Sequence, residues 1–162
     1  MIRKTLKRTS KSEKLKSFIA RYKIPPEFLA ANRKMISRGV LLGIFIAFIP
    51  MPLQMGAVLL FMPIFRFNVP IALAMCWLSN PLTMPPMYYL EYLTGSFILG
   101  TKVAPVEMTL TWFSENLDNI FIPLYVGTIF YSVIVSSLAY WAVNHFWKVS
   151  VHNEKNKRRL KK

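Results

Sequence analysis

Arg38, Gln54, Arg66, Ser79, Asn80, Thr83 and Glu91 are the side chains best placed to bind or polarise a ligand. Gln54 stands beside Pro50-Met51-Pro52. Ser79, Asn80 and Thr83 fall within Ser79-Asn80-Pro81-Leu82-Thr83-Met84-Pro85-Pro86. A helix that restarts after a proline interruption presents free amides and partial positive charge, which suit an anion such as a phosphate headgroup. The neighbouring amide and hydroxyl side chains could add hydrogen bonds. Arg38 and Arg66 bracket the first apolar stretch and could meet a headgroup at its edge. Glu91 lies among Tyr88, Tyr89 and Tyr92. Two readings of it stay open: an interfacial tyrosine belt with Glu91 facing headgroups or water, or a carboxylate facing a cavity at membrane depth.

Residues for catalysis are harder to find. There is no HExxH, no glycine-rich phosphate loop and no cysteine-based metal cluster. His145, next to Phe146, Trp147 and Lys148, reads as an interface residue, and Glu115 and Asp118 read as solvated helix surface. Cys76 is alone in an apolar run and reads as a buried small hydrophobe. The sequence therefore predicts no enzyme and no cofactor.

The elements that carry these residues are apolar. Of 162 residues 54% are hydrophobic, and the mean hydropathy is +0.35. Three long stretches stand out: Gly39–Phe65, Val69–Leu99 and Ile120–Trp147. Uncharged windows of this length read as membrane-spanning. The first two are interrupted by proline, which removes a donor and obstructs the preceding turn. Irregular backbone at membrane depth survives only where protein or a wet cavity covers it, so the interruptions mark candidate sites. Each half of the first stretch spans only about 16 to 20 Å as helix, short of a hydrocarbon core of about 30 Å. That stretch is either one kinked crossing or a re-entrant hairpin. Gly39 and Gly43 form a small-xxx-small patch, for packing within the chain or between copies. Asn68 reads as an N-cap, with Pro70 in the first turn of the next helix. Ile120–Trp147 is the cleanest crossing, with Pro123 in its first turn. Glu27–Lys34 should begin another helix near Pro26. Val106, Leu110, Phe113 and Leu117 suggest an amphipathic stripe in the mixed segment Thr101–Asn119.

Charge is confined to the ends. Residues 1–38 hold twelve Lys/Arg against two acids, residues 39–147 two against four, and residues 148–162 seven against one. Basic flanks stay in the cytoplasm, so both termini should, and the number of crossings should be even. One interrupted stretch must then fold back, and Arg66 favours the first. The sequence thus divides into a basic tail over 1–24 with an amphipathic helix at Glu13–Tyr22, a helical membrane domain over 25–148, and a basic tail over 149–162, disordered beyond the helix end. The fold class expected is all-α: an integral membrane protein with proline-broken, re-entrant helices and one clean C-terminal transmembrane helix. The tails should attract anionic phospholipids of the cytoplasmic leaflet. Nucleic acid is not expected, because the tails carry no aromatic platform.

Arg38-Gly39 with GIFIAFIPMPLQM, then Arg66-Phe67-Asn68-Val69-Pro70, then Trp77 through Pro86, with Tyr89 and Leu99-Gly100, resemble the bacterial membrane family of domain of unknown function 2062 (DUF2062). The resemblance covers roughly residues 25–147. It implies bacterial origin and an inner-membrane location, and no established activity. Met51 and Met55 depart from the smaller or more polar residues expected at the interruption, and make it less hydrophilic. Two functions remain in view: a structural or accessory component of a membrane complex, with the glycine patch as a candidate contact for self-association, and transport or flipping of a lipid or lipid-linked anionic substrate.

Overall fold

The computed structural model describes residues 25–51, 53–103 and 109–159. The expected helix at Glu13–Tyr22 and the residue Val106 lie outside these. The described residues form an all-α fold. A 3-10 turn at Pro26–Leu29 is followed by α1 (Arg33–Phe48), α2 (Gln54–Leu60), α3 (Val69–Cys76), α4 (Met84–Leu99), α5 (Leu110–Glu115) and α6 (Leu117–Arg159). Pro26 therefore opens a 3-10 turn rather than the α-helix, which starts only at Arg33.

Asn32 starts α1 by accepting a hydrogen bond from the Met35 amide at 2.9 Å, which satisfies one of the helix's unpaired donors. The helix stops at Phe48, two residues before Pro50, as expected where a proline restricts the residue before it. The chain reverses at Leu53, which has a left-handed backbone with φ 62°. Such a conformation costs a β-carbon-bearing residue about 1–2 kcal/mol. Seven residues of α2 then lead back toward the start of α1. There the Asn68 amide donates to the Met35 carbonyl at 2.9 Å, and Arg38 Nη1 donates to the Arg66 carbonyl at 3.3 Å.

Asn68 caps α3 as its position predicts, accepting from the Ile71 amide at 3.1 Å, with Pro70 in the first turn. α3 then runs parallel to α1 at very short range. A Cβ on Gly39 would lie 2.6 Å from the Asn68 carbonyl oxygen, and one on Gly43 would overlap the Ala72 carbonyl. The glycine patch thus packs within the chain. Cys76 is buried there, with its thiol 3.7 Å from the Gly43 carbonyl.

α6 forms the spine. Its 43 residues extend about 65 Å at 1.5 Å per residue. Within it, Ile120–Asn153 is long and apolar enough to cross a membrane. α4 and α1 both pack antiparallel to it, one beyond the other. Tyr88, Tyr92, Ile120 and Leu124 make one buried cluster. Val40, Ile44 and Phe48 meet Tyr131, Val135, Ala139 and Val143 in another. Two expectations are corrected. Pro123 lies inside the helix, because α6 begins at Leu117. The segment after Lys148 is no disordered tail up to Arg159, because α6 continues through it without a proline or glycine to stop it.

Candidate functional site

The ligand-binding residues suggested by the sequence separate into three groups. Arg38 and Arg66 stand together at the start of α1. Arg66 also pairs with Glu27 at 3.2 Å, while the Asn68 side-chain amide donates to the Ala30 carbonyl at 3.2 Å. The exposed Arg66–Glu27 pair adds little stability, since such pairs are worth about 0–1 kcal/mol. Its use is to hold the connections at one end of the fold.

Gln54, Ser79, Asn80 and Thr83 form the second group, where the two interruptions meet. Gln54 Nε2 donates to the Ile49 carbonyl at 2.9 Å, and Gln54 Oε1 accepts from the Ser79 hydroxyl at 2.7 Å. One amide thus ties the α1–α2 connection to the α3–α4 connection. Asn80 Oδ1 accepts from the Leu82 and Thr83 amides at 3.0 and 3.1 Å. Its Nδ2 donates to the Trp77 carbonyl at 3.3 Å. Thr83 Oγ1 accepts from the Asn80 amide at 2.9 Å and donates to the Leu78 carbonyl at 2.5 Å. These side chains satisfy the backbone left over between two helices, a need that is acute in an apolar medium.

The start of α4 also lacks the donors an anion would need. The Met84 amide bonds to Asn80 and the Met87 amide to Thr83, while Pro85 and Pro86 have no N–H. What the interruptions do offer is an open groove of about 720 Å³. Met51, Leu53, Met55, Leu73, Trp77 and Met84 are among its lining residues, with Gln54, Ser79 and Asn80 supplying the polar edge.

Asn80→Ala should lower stability by about 1–3 kcal/mol by orphaning two amides and a carbonyl. Asn80→Asp keeps the acceptor and should lose less. Circular-dichroism melts in detergent would show this order, and equal loss for both variants would contradict it.

Glu91 is the third site. It is not in a wet belt: it is 1% exposed, between α4 and α6. Its Oε2 accepts from the Thr128 hydroxyl at 2.6 Å. Oε1 has no hydrogen-bond partner among the described residues, and neither do the buried Ser96 and Ser132 hydroxyls. Gly127 permits this geometry, because a Cβ there would overlap the Glu91 backbone carbonyl, and Gly95 faces the Pro123 carbonyl in the same way. Thr94 and Tyr131 share a hydrogen bond of 3.1 Å across the same interface.

The sequence reading missed the buried hydroxyls of Thr128, Ser132 and Ser136. Their four-residue spacing in an apolar helix was the available signal, since it puts all three on one face. It also missed Tyr125, whose hydroxyl donates to the Pro50 carbonyl at 3.1 Å and ties α6 to the first interruption.

Residues 16–156 match the family model described as an uncharacterized protein conserved in bacteria (DUF2062). No curated protein and no solved structure matches the chain.

Proposed function

The chain belongs to the DUF2062 family of bacterial proteins, and from that premise we propose that it is a non-enzymatic structural or accessory component of an inner-membrane complex. α1 and α2 form a hairpin that enters and leaves on the cytoplasmic side. α3 and α4 together make one crossing and α6 makes the second, so both termini are cytoplasmic. The return of Arg66 to Arg38 supports the hairpin, and the antiparallel run of α6 past both α4 and α1 supports the two crossings.

One observation carries the functional reading: the polar side chains at the interruptions spend their hydrogen bonds on this chain's own backbone and on each other. They are packing devices that fix the connections in an apolar medium. A complex that needs a rigid helical component has a use for this.

The groove favours a second reading, with transport or flipping of a lipid or lipid-linked substrate. Its largely apolar lining suits a hydrocarbon chain better than an anionic headgroup.

Single cysteines at Arg66, Thr101 and Asn156, in a Cys76→Ala background, test the topology. All three positions are exposed. In intact cells a membrane-impermeant thiol reagent should label position 101 alone, and positions 66 and 156 only after permeabilisation. Outside labelling at 66 would make the first stretch a crossing, and outside labelling at 156 would end the even-crossing arrangement. Crosslinking in intact membranes then tests the role. One dominant partner is expected, and recovery of bulk background alone would count against a complex component.

A further inference from the structure

We propose that Arg33, Lys148 and His152 form a binding site for a phosphate group, supplied by the headgroup of an anionic phospholipid. The site rests on the placement above of the start of α1 and the far part of α6 at the cytoplasmic face. It is distinct from the interruptions and from the Arg38–Arg66 pair.

The three residues come together because α1 and α6 are antiparallel. Arg33 is the first residue of α1. Lys148 and His152 are one turn apart on α6, and so share a face. With Trp147 and Val151 they line an open surface pocket of about 360 Å³, room enough for a headgroup phosphate.

Among the described residues no acidic side chain lines the pocket. The first turn of α1 has no acidic residue. Arg33 and Lys34 instead add positive charge where the helix dipole is already positive, an arrangement that disfavours cations and favours an anion. Among the described residues, neither Arg33 nor Lys148 has an acidic partner. Glu27, the acid within the turn before α1, is engaged by Arg66. A phosphate would receive a guanidinium fork, an ammonium and an imidazole N–H, which are charge-assisted donors of the kind phosphate selects.

The surroundings indicate that the phosphate belongs to a lipid. Trp147 lines the cavity, and the adjacent Phe146 is exposed. An aromatic belt beside cationic side chains is the arrangement of a membrane–water interface. From Ile120 to Trp147 α6 covers about 41 Å, enough to pass a hydrocarbon core of about 30 Å and bring Lys148 to headgroup level.

The test uses the full chain with Trp77, Trp112 and Trp141 replaced by phenylalanine, leaving Trp147 as reporter. The protein is placed in bilayers containing brominated phosphatidylglycerol or brominated phosphatidylcholine. Trp147 should be quenched preferentially by the anionic lipid. The preference should fall roughly fivefold for each of Arg33→Gln and Lys148→Gln, following the worth of one basic residue at an anionic surface. It should survive Lys102→Gln, which removes the same charge at an exposed position away from the pocket. Helical circular dichroism identifies any variant that fails to fold, and Arg33→Lys, which keeps the charge, should then retain part of the preference. Relief of the anionic-lipid quenching by inorganic phosphate, but not by chloride at equal ionic strength, supports phosphate recognition. Phosphate sensitivity without any lipid preference would overturn the lipid assignment. Equal quenching by both lipids with no effect of phosphate, or a preference that survives loss of both Arg33 and Lys148, would overturn the site. Thiol labelling reports the topology separately, so a failed site and a failed topology give different results.

Discussion

Gly127→Ala is expected to break the pairing of α4 with α6. The added methyl would overlap the carbonyl of Glu91, and Glu91 Cα is only 2.9 Å from the same point. Both obstacles belong to backbone, which cannot rotate away as a side-chain tip can. Overpacking a good interface usually costs about 1–3 kcal/mol, occasionally more, and this case belongs at the upper end. The helices must separate, which also draws Glu91 away from Thr128 and leaves more of its carboxyl unsatisfied. Gly56→Ala is the matched control. A Cβ there meets only Leu53 Cβ, at 3.9 Å, so the variant should be neutral or gain up to about 1 kcal/mol of helix propensity. Unfolding in mixed micelles, followed by circular dichroism, measures both. A Gly127→Ala midpoint equal to that of Gly56→Ala would mean that the two helices do not approach this closely.

Asn68→Ala should be the second large effect, because one buried side chain serves two segments. Its Oδ1 caps α3 through the Ile71 amide, and its Nδ2 reaches the Ala30 carbonyl. Losing the cap costs about 0.5–2 kcal/mol, and loss of the half-buried bond to Ala30 adds about 0.5–1.5 kcal/mol. A combined loss of about 1–3.5 kcal/mol follows. Asn68→Asp retains the cap and forfeits only the bond to Ala30, so it should fall between wild type and alanine. Chemical denaturation of the three proteins checks the order. A wild-type midpoint for Asn68→Ala would show that α3 is held by its packing on Gly39 and Gly43 alone.

Asn68 was also the most legible residue in the sequence. An asparagine before Val-Pro at the start of an apolar run has few other uses, and local chemistry decided its role. The all-α class and the clean last helix were legible for a similar reason, since uncharged runs leave few alternatives. The ends of that helix were not. Pro123 suggested a first turn, but a helix tolerates an interior proline where neighbouring groups re-satisfy the freed carbonyl, and α4 packs directly against that turn. The charges after Lys148 suggested a loose tail, yet lysine and arginine are good helix formers and nothing there breaks the helix.

The interruptions were found by their prolines, while the orientation of their side chains was not. Residue type says that Asn80 and Thr83 can donate and accept. It does not say that five backbone partners nearby need them first. Glu91 was hidden for a different reason. Its neighbours in sequence are tyrosines, but its neighbours in space are Thr128 and Gly127, more than thirty residues away.

The unbroken run of α6 to Arg159 has a mechanical consequence. A flexible basic tail would lie down on an anionic leaflet and be neutralised by it. A helix continuous with α6 cannot bend down independently of it, and its backbone carries positions 155–159 about 12 to 18 Å along the axis from Trp147. That height exceeds the screening length of about 8 Å at physiological salt. In the two-crossing arrangement proposed above, this end of α6 would be held beyond the headgroups and not among them. In that arrangement an acidic surface arriving from the cytoplasm would meet this end of α6 first.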